Sequence, residues 1–71
     1  MLKTFAYHKP SPDSLEKIDR LRELYSELTT ALKETAPASR ELSVALTELE
    51  TSAMWAIKAV VYNDPTSTVA I

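Results

Sequence analysis

"ETAPASRE", residues Glu34 to Glu41, decides the fold of this chain. Pro37 disfavours the α region for Ala36, so a helix running into this stretch has to end there. Helical patterning stands on both sides of it. Upstream, Ile18, Leu21, Tyr25, Leu28, Leu32 and Thr35 recur at spacings of three and four, which keeps them on one stripe, and Leu15 and Leu24 widen it. Downstream, Leu42, Leu46, Leu49, Ala53, Ala56 and Val60 repeat the pattern. Two long helices joined by so short a link fold back on each other as an antiparallel hairpin.

The outer boundaries follow from capping chemistry. Ser11 is a suitable N-cap, Pro12 occupies the first helical position where its missing N–H costs nothing, and Asp13 and Glu16 favour the positive end of the dipole. Helix 1 is expected over residues 12–35. Helix 2 is expected to start between Pro37 and Ser39 and to run over residues 38–62, where "NDP" stops it: Asn63 tolerates a left-handed cap and Pro65 cannot continue. The expected fold is all-α, one domain over residues 1–71, with an extended N-terminal segment (1–11) and a C-terminal tail (63–71). The β-branched and apolar tail, "TSTVAI", reads equally as a frayed end or as a strap across a neighbour.

Composition narrows the chemistry. Seventy-one residues make one domain, and a core of that size seldom supplies more than about 3–5 kcal/mol without disulfides, metal or association. Cysteine is absent and histidine occurs once, so disulfides, zinc ribbons and thiol catalysis are excluded. Glycine is absent too, which removes the phosphate-cradling loops that depend on it. A formal charge of −2, from eight basic and ten acidic residues, offers no field for a polyanion such as DNA, although a local basic pocket for a small anion remains open. The apolar runs fall short of the roughly 20 residues that span a bilayer. With no leader-like start, the expectation is a soluble, cytoplasmic protein without membrane contact.

Residues Ala53 to Val61 read "AMWAIKAVV", with one polar residue. A hairpin has a single inside. If Ala53, Ala56 and Val60 face helix 1, then Met54, Trp55, Ile57 and Val61 point elsewhere, and a helix apolar all round is a buried one. Other copies of the chain are the expected cover; the alternative is that the N-terminal segment folds over that face within one chain.

Candidate chemistry lies mostly outside the helical stripes. An enzyme is not expected, because His8 is the only candidate base and carboxylate pairs such as Asp19 with Glu23, or Glu48 with Glu50, sit among ordinary solvated charges. Tyr7, His8 and Lys9 put two rings and a cation side by side, which suits a nucleobase stacked beside an anionic phosphate; packing of Phe5 and Tyr7 into a groove between protomers explains them as well. Ser39 and Arg40 bring a hydroxyl and a guanidinium to free N–H groups at a helix start, an arrangement that holds phosphate or merely caps the helix. Arg20 and Arg22 lie among Glu16, Asp19 and Glu23, so local ion pairs are the ordinary account, but Arg22 adjoins the apolar stripe and could be aimed into an inter-subunit cleft. Lys58 is the lone charge in the apolar half of helix 2, where snorkelling explains it.

The strings "FAYHKPSPD", "LREL" and "SRELSVALTELETSAMWAIKAVV" together resemble the small helical-hairpin nucleotide sponges that phages make against bacterial CBASS and Thoeris immunity, the anti-CBASS type most closely. The resemblance runs from about Phe5 to Val61. It implies a non-catalytic homo-hexamer without cofactor, acting in the cytoplasm of the infected bacterial host, that sequesters cyclic dinucleotides or cyclic trinucleotides; related sponges take cyclic ADP-ribose isomers. It further implies a dinucleotide set of Tyr7, His8, Lys9, Arg22 and Ser26, with Tyr7 stacking on a base and Arg22 pairing from the cleft wall. Ser39 and Arg40 form the implied trinucleotide set, and Phe5, Met54, Trp55, Ile57 and Val61 the oligomer interface. Ile57 stands where many such sequences carry asparagine, and Tyr25 and Ser26 lie in a region often richer in alanine and lysine, departures that bear on ligand preference. The rival reading is a structural or protein-binding hairpin adaptor that oligomerises through the Trp55 patch; a DNA-binding regulator ranks below both because neither helix carries a basic stripe.

Overall fold

A computed structural model describes residues 7–64 and 68–70. The order is β1 (Tyr7–Lys9), α1 (Pro12–Thr35), α2 (Arg40–Tyr62) and β2 (Thr68–Ala70). The two helices pack against each other as a hairpin, and the chain as a whole extends over 45 × 24 × 12 Å. Its radius of gyration is 15.1 Å, against about 11 Å for a compact chain of this length. Its described elements are two helices side by side with a short ribbon at one end, so the molecule is a single layer. A single layer cannot enclose a core: among the described residues Ile18 is the only buried apolar side chain.

The link between the helices is built from local hydrogen bonds. The Ala36 N–H donates to the Leu32 carbonyl at 2.9 Å, and Ala36 itself is extended (φ −94°, ψ 139°), the geometry that Pro37 imposes on its predecessor. Ser39 then caps α2: its Oγ accepts from the Leu42 N–H at 3.1 Å, so the helix begins at Arg40, just beyond the start expected from the pattern. At the far end Asn63 is not left-handed. Its backbone sits at φ −107°, ψ 9°, and its side-chain Nδ2 donates to the Ala59 carbonyl at 2.9 Å, satisfying an end-of-helix acceptor by another route.

The α1 stripe departs from a strict heptad. Leu28 is 47% exposed while Thr29 is half-buried, because a straight helix of 3.6 residues per turn drifts about 20° per heptad and carries the seam onto the next residue. On α2, Leu42, Leu46, Leu49, Ala53, Ala56 and Val60 are all half-buried. The Tyr25 hydroxyl bonds the Ser52 hydroxyl at 2.8 Å and fixes the axial register of one helix on the other.

The open end carries what periodicity does not reveal. Ser11 caps α1, its Oγ accepting from the Ser14 N–H at 3.2 Å, and the same hydroxyl donates to Oδ2 of Asp64 at 2.5 Å. The Ser14 hydroxyl donates to that oxygen as well, and Ser14 is only 2% exposed. A carboxylate from beyond α2 thus sits against the positive end of α1, where the dipole favours it. Just outside this contact, β1 and β2 pair antiparallel with Tyr7 opposite Ala70, His8 opposite Val69 and Lys9 opposite Thr68. The tail was expected as a frayed end or as a strap across a neighbour; Thr68–Ala70 instead pairs with the chain's own N-terminal segment. The all-α hairpin is therefore accompanied by a two-stranded ribbon, and β1 lies against α2.

Candidate functional site

Along one flank of the hairpin, α1 and α2 leave an open groove of about 690 Å³. Arg22, Ser26, Thr29, Thr30 and Lys33 recur at intervals of three and four on the α1 wall, so one helical stripe delivers two cations and three hydroxyls to the same trough. Leu46, Leu49, Ala53 and Ile57 form the apolar wall on α2, with Glu50 among them, and Tyr25 lies at the floor. The Tyr25 ring is held there by the bond from its hydroxyl to Ser52, while the Thr29 hydroxyl donates to the Tyr25 carbonyl at 2.7 Å within α1. The volume falls within the roughly 300–1,000 Å³ of small-molecule sites, and the mixture of apolar wall and few polar groups is of the usual kind.

Arg22 is free to reach into this trough. Its nearest acid is Asp19, at 4.0 Å, and both side chains are mostly exposed (66% and 75%), so the pair contributes little and leaves the guanidinium available. Arg20 points its charge at Glu23 instead, 3.4 Å away and equally solvated.

The residues expected to act together are spread over three places. Arg22 and Ser26 share the groove, and Ile57, expected in an interface, lines it with them. Tyr7, His8 and Lys9 form β1 at the open end. Arg22 is ten positions into α1 from Pro12, about 15 Å of helical rise away from that end. Ser39 and Arg40 stand at the opposite tip, the former spent on capping α2 and the latter exposed. Of the remaining residues expected in the interface, Met54 (67%) and Trp55 (64%) are exposed, Val61 is half-buried, and Phe5 lies outside the described residues.

The family model described as "Acb2/Tad1, hairpin domain" matches residues 1–61. The chain belongs to that family. Membership in the Acb2/Tad1 hairpin family, the anti-CBASS and anti-Thoeris sponges, implies a broad role in binding cyclic nucleotide signals. Comparison with curated proteins and with solved structures returned no match. The span matched by the Acb2/Tad1 hairpin covers β1 and α1 and stops at Val61, so Asp64 and β2 fall beyond it.

Several groups of this Acb2/Tad1 hairpin were not singled out from sequence. Thr29, Thr30 and Lys33 read as ordinary helix-surface residues, and only the drift of the α1 seam brings them to the groove. Lys58 does more than snorkel: its Nζ stands 5.0 Å from the centre of the Trp55 ring and 4.9 Å from that of Tyr62. The spacing −3 and +4 from Lys58 could have announced this, since those neighbours share its helical face. Among the described residues no helix is long and apolar enough to cross a membrane.

Proposed function

We propose that this protein is a non-catalytic sponge that assembles from several copies, a hexamer on the family resemblance, and holds cyclic dinucleotides in its inter-helix groove. In the cytoplasm of an infected bacterium it would withdraw the messenger of a CBASS-type defence by mass action. The observation that carries this reading is the groove with Arg22, Lys33 and hydroxyls on one wall and apolar side chains on the other, in a chain of the Acb2/Tad1 family. Phosphates would meet the cations and hydroxyls of α1, and bases the apolar wall of α2.

The groove is open along its length, and β1 stands at the end of its own hairpin. In this proposal the dinucleotide set is completed between copies, a second copy's Tyr7, His8 and Lys9 meeting the first copy's Arg22 and Ser26. The scarcity of core supports assembly: Leu15, Leu24, Leu28, Val44, Met54 and Trp55 are all 41–67% exposed, a large apolar area for 71 residues. Ser39 and Arg40, at the opposite tip, are the corresponding candidates for a cyclic trinucleotide.

Calorimetric titration with cyclic GMP–AMP, cyclic di-AMP, cyclic tri-AMP and a cyclic ADP-ribose isomer tests the reading. Binding of at least one, with the intact ligand recovered after heat denaturation, is the expected result. A folded oligomer that takes up none rejects it, and a linear product would mark an enzyme. Combining Tyr7→Ala with Arg22→Ala should weaken dinucleotide binding by at least about a hundredfold, since a base stack contributes about 1–3 kcal/mol and a charged hydrogen bond about 1.5–3. The assembled mass should not change. A second reading, a protein-binding adaptor, is favoured by the exposure of Met54 and Trp55. Its activity would be indifferent to the double substitution.

A further inference from the structure

The segment that carries Tyr7, His8 and Lys9 is three residues long, and a two-stranded ribbon is marginal at best in water without further support. Here its two strands leave the hairpin from one tied point. Ser11 follows β1 by two residues and Asp64 precedes β2, and these two side chains are hydrogen-bonded at 2.5 Å across a sequence separation of 53. The Ser14 hydroxyl, on a residue 2% exposed, holds the same carboxylate oxygen. Tying the strand bases shortens the loop that strand pairing has to close, and so lowers its entropic cost.

We infer that Asp64 and β2 are positioning elements for the ligand: the clasp of Asp64 on Ser11 and Ser14 and the pairing of Thr68–Ala70 with Tyr7–Lys9 hold the aromatic and cationic segment extended before a cyclic dinucleotide arrives. The ligand part of this inference rests on the proposed sponge function. A segment already ordered gives up little conformational freedom on binding, so the gain appears as affinity without any contact between β2 and the ligand. Both elements lie beyond the residues that match the family's hairpin, so they make a contribution that the matched hairpin does not itself contain.

Three variants of the full chain test it. Val69→Pro, made together with Thr68→Pro so that whichever of these two adjacent N–H groups faces β1 is lost, breaks the pairing and leaves the clasp; Asp64→Ala removes the clasp and leaves β2, with Asp64→Asn, which keeps an acceptor but no charge, as the conservative partner. Amide exchange at Tyr7, His8 and Lys9 should quicken about tenfold or more in the double-proline variant and Asp64→Ala, and less in Asp64→Asn. Affinity for cyclic GMP–AMP and cyclic di-AMP should fall about tenfold in the same order, with helical content and assembled mass unchanged. Unaltered exchange in the double-proline variant would show that β2 does not hold β1 and overturn the inference. Quickened exchange with affinity within about twofold of the parent would overturn its ligand part. If the parent chain takes up neither nucleotide, the sponge reading fails, while the exchange data still judge whether β2 and Asp64 order the segment.

Discussion

Each helix of the hairpin begins with a serine cap, and the two caps differ in what surrounds them. Ser39 accepts from the Leu42 N–H, donates to the Pro37 carbonyl at 3.0 Å and stays exposed, so the partners of its hydroxyl all lie within three residues. Ser11 makes the equivalent cap to the Ser14 N–H and then donates to a carboxylate 53 residues away. The local motif is the same. At the tip it only starts a helix, whereas at the open end it also fastens the chain's two extremities together. A cap residue therefore identifies where a helix begins without indicating whether tertiary structure has given that helix end a second role.

The largest effect is expected from Asp64→Ala. It leaves the Ser14 hydroxyl buried without this acceptor and removes the anion from the α1 terminus, for a loss of about 1–3 kcal/mol in urea unfolding at fixed protomer concentration. A loss below about 0.5 kcal/mol would mean that the two ends are equivalent after all. Next comes Ser11→Ala, which should cost about 1–2 kcal/mol, and a double-mutant cycle with Asp64→Ala should show coupling of at least about 0.5 kcal/mol. Ser39→Ala, paired with Asp64→Ala in the same way, should be additive within about 0.5 kcal/mol, since the two sites sit at opposite ends of the helices. Tyr25→Phe probes the middle of the hairpin and should cost about 1 kcal/mol through the lost bond to Ser52. Ser39→Gly should be the mildest, a few tenths of a kcal/mol, because glycine is itself tolerated at an N-cap.

The same division separates what could be read from the candidate site. Arg22 was legible because it adjoins the Ile18, Leu21, Tyr25 stripe, and the groove does contain it. Lys33 and Thr30 were not, because a strict heptad places them on the solvent face and the drift of a straight helix moves them toward α2. Ile57 was assigned outward by counting apolar faces, yet it lines the groove: the stripe of α2 that meets α1 is wider than one residue per turn. Asn63 tolerates a left-handed cap by its residue type, and its side chain instead reaches back to Ala59.

By itself the sequence determined the hairpin and its turn at Pro37, because proline sterics, serine caps and helical periodicity act within a few residues and are written in consecutive letters; the family followed from the resemblance of its residue strings. Only the tertiary structure decided that the tail returns as β2, that Asp64 closes the open end, and which side chains share the groove. Those contacts join positions about fifty residues apart or depend on the gradual rotation of a helix, and neither leaves a mark in any short window of sequence.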